Sequence, residues 1–165
     1  IFMTPIILLE RLAEFVEENI SDIKLQVRVT NTKPGEEKER AAEVHKMRLK
    51  KKEDKTQRIP YVLLQLLKLE DDKQPSQPAG ATAQVRMVVA TFSEDGEQGA
   101  YDVLNVLLRI RERLLATGVI GQQFEVQKPL EAVVYPDNTE PYYFGEMIAN
   151  FSIPTIEREV NFNGY

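Results

Sequence analysis

The chain reads as an α+β protein: one domain built on a mainly antiparallel β-sheet with two helices packed against it, plus a charged protruding arm or hairpin. Three observations carry that expectation. Residues 99–117 (GAYDVLNVLLRIRERLLAT) repeat apolar side chains at helical spacing, as does the start of the chain. Several other segments alternate apolar and polar residues with a period of two. Turns rich in Pro and Gly separate them.

The helix over 99–117 is the best-defined piece. Val103, Val106, Leu107, Ile110 and Leu114 fall on one arc of it, and Leu104, Leu108 and Leu115 on a neighbouring arc. Together they cover roughly 200° of the circumference, about twice an ordinary apolar stripe, so the helix has two surfaces to satisfy. Asp102, Asn105, Arg109, Glu112 and Arg113 form the polar strip, with Asp102 early and Arg113 late as the helix dipole favours. Gly118 is the expected stop. Arg111 sits between the two arcs. Its stem must lie along apolar surface; a snorkelling surface arginine is the preferred reading, a buried intersubunit pair the alternative.

With 165 residues, 42% of them hydrophobic and 28% charged, the composition is that of a single globular domain able to bury a substantial core. The absence of cysteine removes disulfides, thiolate nucleophiles and zinc–thiolate sites, which fits a reducing compartment. Acidic residues outnumber basic ones 26 to 21, giving a net charge of -5, which argues against a dedicated nucleic-acid binder. No apolar run approaches the roughly 20 residues of a membrane span. The early run at Ile6 to Leu9 has no basic region before it and continues into Glu10 and Arg11, so it is not read as a signal peptide and a cytoplasmic chain is expected.

Thr4 and Pro5 form a helix start, and Ile6, Leu9, Leu12, Ala13 and Val16 recur at helical spacing until about Asn19. Ile23, Leu25, Val27 and Val29 then alternate with Lys24, Gln26, Arg28 and Thr30, which predicts a strand with one wet face. Residues 31–58 are dense in charge, with Val44, Met47 and Leu49 the only sizeable apolar groups, and are read as the protruding arm or hairpin within a domain spanning 3–155. Residues 59–69 (IPYVLLQLLKL) are apolar on both faces, Tyr61, Leu63 and Leu67 against Val62, Leu64 and Leu66, as in a central strand covered twice or docked on another subunit. Glu70, Asp71 and Asp72 are expected to end it. The next strand, 82–92, should turn Ala83, Val85, Met87 and Val89 inward and Gln84 and Arg86 outward. After the helix, Phe124, Val126, Leu130, Ala132 and Val134 alternate with polar residues, and Pro129 implies an edge or a bulge. Tyr143, Met147, Ala149, Phe151 and Ile153 then form one apolar face, completing a hairpin packed on the helix. Residues 156–165 are read as a polar tail.

Catalytic signals are weak. His45, the only histidine, has no second imidazole or cysteine to complete a site and reads as a surface residue. Glu70, Asp71, Asp72 and Lys73 could belong to a metal-dependent nuclease, but strands routinely end in acidic loops and no convincing further carboxylate joins them. No phosphate-binding glycine loop, dinucleotide fingerprint or serine nucleophile elbow is present. Asn150, Phe151 and Ser152 spell a glycosylation sequon on a predicted strand, read as chance.

Three stretches carry a family pattern: IPYVLLQLL followed by LEDD, then VRMVVATFSEDGEQGAYDVLNVLLRIRERLL, then PLEAVVYPDNTEPYYFGEMIANFSIP. In this pattern, which covers most of residues 59–154, the chain resembles the tail terminator (tail completion or minor tail) proteins of long-tailed phages and prophages of Gram-positive bacteria. One departure is local. The family pattern has an aromatic and a glycine followed by paired prolines ahead of the central strand, where this chain reads VHKMRLKKK.

The resemblance implies a structural virion protein and not an enzyme: a homo-oligomer, a hexameric ring on the tail tube, that stops tube polymerisation and offers a surface for head–tail joining. Its implied partners are the major tail tube protein and the head completion or neck proteins, with no cofactor, no specific nucleic-acid binding and no membrane. It would lie in the bacterial host cytoplasm during assembly and in the virion tail afterwards. The interface residues expected on this reading are Arg111, Leu104, Leu108 and Leu115 on the helix, Lys50, Lys51 and Lys52 in the arm, and Glu70, Asp71 and Asp72 at the start of the loop reaching Gln77. The alternative is a small nucleic-acid-binding module using Lys50 to Lys52.

Overall fold

The structure, a computed structural model, describes residues 5–28, 38–49, 59–137 and 139–156. Its centre is the strand with the clearest alternation. In β5 (Gly80–Phe92), Ala83, Val85, Met87 and Val89 have no solvent exposure. β5 pairs antiparallel with β4 (Tyr61–Asp72) on one side and with β8 (Tyr142–Ile153) on the other. β7 (Phe124–Val134) and the two-residue β6 (Val119–Ile120) continue the sheet beyond β8, and β3 (Glu43–Lys46) closes the opposite edge. The order is β3-β4-β5-β8-β7-β6, antiparallel throughout except for the parallel β3–β4 pair. A separate two-stranded ladder joins β1 (Leu25–Gln26) to β2 (Glu39–Arg40).

Two helices cover one face of this sheet. The core takes Val62 and Leu64 from β4, the odd-numbered residues of β5, and Met147, Ala149 and Phe151 from β8, all on the same side of the pleat. α2 (Gly96–Thr117) lies on β5, β7 and β8, and α1 (Pro5–Ile20) packs on α2, β3, β4 and β6. The predicted α+β domain, mostly sheet, is the observed one.

α2 begins three residues before its expected start because Asp95 caps it, its carboxylate accepting from the N–H groups of Glu97 at 3.0 Å and Gln98 at 3.3 Å. It stops at Gly118, whose φ of 75° is a conformation glycine adopts at little cost, with its N–H donating to the Leu114 carbonyl at 2.9 Å. The hairpin of β7 and β8 forms as expected, and Pro129 falls inside a register shift between Gln127 and Glu131. Met147, Ala149 and Phe151 are fully buried, with Tyr143 and Ile153 partly so, while Ala132, expected inward, is exposed.

Other expectations are corrected too. The buried face of α1 is Leu8, Leu9, Leu12, Val16 and Ile20, with Ile6 exposed: apolar residues on both sides of Leu9 leave the stripe's centre ambiguous in sequence. The strand expected over 23–30 shrinks to Leu25–Gln26 among the described residues, because its ladder partner is the two-residue β2 and the sheet edge is taken by β3. Of the expected arm, 38–49 do not protrude. Glu43 to Lys46 pair with Tyr61 to Leu64, and Ala42 and Val44 reach the core. Finally, Glu70, Asp71 and Asp72 do not end β4 but continue it, paired with Thr82, Ala81 and Gly80. A register shift at Leu67 leaves that side chain exposed, breaking the second apolar face expected of the strand. Thr4, Val29 and Thr30, together with the arm residues Lys50, Lys51 and Lys52, lie outside the described residues.

Candidate interaction surface

Burial divides the wide apolar band of α2 into its two arcs. Val103, Val106, Leu107, Ile110 and Leu114 are all enclosed between sheet and α1. The neighbouring arc faces outward: Leu104 is 36% exposed and Leu108 47%, Leu115 is half-buried, and Arg111 is exposed. Arg111 is exposed in the single chain, where both readings of it place the guanidinium at the surface. Sequence reading misses Tyr101, which is 52% exposed one turn before Leu104 and extends the arc. Its spacing of three and seven residues from Leu104 and Leu108 is the available signal. Exposed Glu97 stands one turn before Tyr101.

The polar strip beside this arc anchors the helix pair. Arg109 donates to the Asn19 carbonyl at 3.0 Å and to Asp22 Oδ1 at 2.7 Å, tying α2 to the end of α1. That hydrogen bond from Arg109 holds the Asp22 carboxyl below its ordinary value. At the start of α2 a cleft of about 650 Å³ lies against β1 and β2. Its cations Lys24, Arg28 and Lys38 are matched by Glu39, Glu94 and Asp102, so its lining selects for neither sign of ligand. Burial, and then the nearby Glu39, push the Asp102 carboxyl up.

The acidic residues of β4 do not converge. Strand alternation puts Glu70 and Asp72 on one face with Lys68, whose ammonium pairs with Glu70 at 2.8 Å, and Asp71 on the other. Carboxylates pointing to opposite sides of a strand cannot chelate one ion, and among the described residues no group of three His, Asp or Glu side chains is placed to hold a metal. His45 is not the surface residue expected. Its side chain is 11% exposed, with Nε2 3.3 Å from Glu43 Oε2 and its ring edge-on to Tyr61 at 6.4 Å between centroids.

On the face of the sheet away from the core, Arg86 binds three strands together. Its guanidinium donates to Glu146, to Tyr135 Oη at 2.9 Å and to Gln65 Oε1 at 3.5 Å. The Arg86 hydrogen bond, aided by Tyr135, lowers the Glu146 pKa from its ordinary 4.5. A depressed carboxylate stabilises the fold above its unfolded pKa and loses that contribution as pH falls through the folded value. Glu146→Gln, which keeps the shape without the charge, is therefore expected to cost about 1 kcal/mol at pH 7, the pair being partly solvated. The difference should close in acid well below pH 4.5. Urea unfolding of both proteins across pH measures this, and a gap that persists in acid would exclude the ion pair as its source.

No family model matches the chain, and no curated protein matches it in sequence. Among the described residues no helix is long and apolar enough to cross a membrane. The described surface carries an apolar arc with one arginine on α2 and a charged strand end at β4.

Proposed function

We propose that this protein is a tail terminator: a structural, non-enzymatic subunit that assembles with its own copies into a hexameric ring on a phage tail tube. The outer arc of α2 carries the reading. Leu104, Leu108 and Tyr101 are large apolar groups left uncovered side by side along one helix face, and contiguous exposed apolar surface marks an interaction site. The three resembling stretches, which span the central hairpin, α2 and the last hairpin, supply the specific identity. On this reading the ring stops tube polymerisation and presents a face to head completion proteins. It needs no cofactor, its partners are the tube and neck proteins, and it passes from the host cytoplasm into the virion tail.

The net charge of -5 suits a ring through which DNA passes, since like charge does not grip phosphate. Electron microscopy of particles assembled without this protein is the test. Tails of uncontrolled length, or heads without tails, are the expected outcome; normal virions would overturn the reading.

A further inference from the structure

The outer arc of α2 reads in order Glu97, Tyr101, Leu104, Leu108, Arg111, Leu115, with spacings of four, three, four, three and four residues. That alternation is the 3.5-residue period of a seam made for another helix, where a knob from one helix enters a hole on the other. The seam also carries opposite charges at equal distances from Leu104, Glu97 seven residues before it and Arg111 seven after. From Glu97 to Arg111 it is self-complementary when reversed.

We propose that two copies of this chain pair through antiparallel α2 helices, with Leu104 on the two-fold axis. Turning one helix end for end about Leu104 sets Glu97 of each copy against Arg111 of the other, packs Tyr101 against the other copy's Leu108, and stacks the two Leu104 side chains. The two ion pairs stand about 21 Å apart along the seam at 1.5 Å per residue. Glu112 falls on the opposite flank from Glu97 and Arg111, so it does not compete for the arginine. A parallel pair would instead set Glu97 beside Glu97 and align the two helix dipoles. The charge order along the seam thus selects both a second copy and its direction. It also explains why an arginine interrupts an otherwise apolar arc.

A seam this short is a small interface, and association on the order of micromolar is expected. The pairing stands whether or not the chain caps a tail. If it does, a two-fold contact closes on itself and cannot propagate round a polar ring. The dimer is then the form of the free protein, and the tube must open it.

Charge exchange and cysteine placement test this on the whole chain. Glu97→Arg and Arg111→Glu alone should each weaken self-association in sedimentation equilibrium about tenfold. An equimolar mixture of the two variants should restore it, because both contacts again join opposite charges. The chain contains no cysteine, so single introduced thiols report position without background. On mild oxidation Leu104→Cys should cross-link to itself and Leu108→Cys should not. Cross-linking of both variants, which marks a parallel pair, or of neither would overturn the proposal. So would a wild-type chain that stays monomeric to millimolar concentration, or a variant mixture no better associated than its components. Circular dichroism of each variant confirms that its fold is intact.

Discussion

Phe151→Ala is expected to remove about 3–5 kcal/mol of stability, the usual cost of truncating a fully enclosed phenylalanine. Phe151 has no solvent exposure and lies between Ala83 of β5 and Val126 of β7 in the register of the sheet. Its neighbours Ala83 and Ala149 are already minimal side chains, so nothing on the central strands can extend into the space left behind. Collapse would require other side chains of the core to shift, and these too are buried. Phe151→Leu, which keeps most of the volume, is expected to cost less than about 1.5 kcal/mol. Urea unfolding at neutral pH, with the slope held equal between variants, decides the matter. A loss below about 1 kcal/mol for the alanine would mean that the site repacks and that the core is looser than its burial implies.

The same burial explains which elements are legible in the amino-acid sequence. The inner arc of α2 and the odd positions of β5 and β8 can be read directly, because a residue pressed from both sides must be apolar and its period then declares the element. Edge elements give no such signal. β3 shows only Val44 between Glu43, His45 and Lys46, since its pairing is made by backbone groups and just one side chain reaches the core. The acidic end of β4 reads as a loop for the same reason: a ladder with β5, and not side-chain burial, keeps it extended.

At the candidate surface, Leu104, Leu108 and Arg111 are legible as a second arc, but Tyr101 and Glu97 are not. Glu97 lies before the expected start of the helix, and Tyr101 in its first expected turn looks like an ordinary polar position until exposure aligns it with the leucines. Arg86 and Glu146 each read as polar outward residues. That they meet depends on a register joining strands 60 residues apart, which composition does not encode.

Gly145→Val is expected to destabilise the fold by the opposite route, adding atoms where none fit. A Cβ at this position would stand 2.7 Å from Val103 Cγ1, 2.9 Å from Leu107 Cδ1 and 3.0 Å from the Val133 carbonyl oxygen. Two of those neighbours are buried α2 side chains and the third is backbone of the adjoining strand, so relief requires the helix to lift from the sheet. Replacing a strand glycine would ordinarily gain about 0.5–1 kcal/mol by restricting the unfolded chain. Overpacking costs about 1–3 kcal/mol and therefore wins, already for alanine and more so for valine.

Gly99 is a second such position. A Cβ there would run into the rigid ring of Tyr143, which packs against the core. Gly99→Ala should therefore also destabilise the fold, with about 1 kcal/mol of helix propensity offsetting part of the clash. If the clash with α2 is the cause at Gly145, then Val103→Ala, destabilising alone, should cost less in the Gly145→Ala background than in the wild type. A double-mutant cycle by urea unfolding reads that coupling. Strict additivity would mean that the strand, not the helix contact, requires glycine at this position.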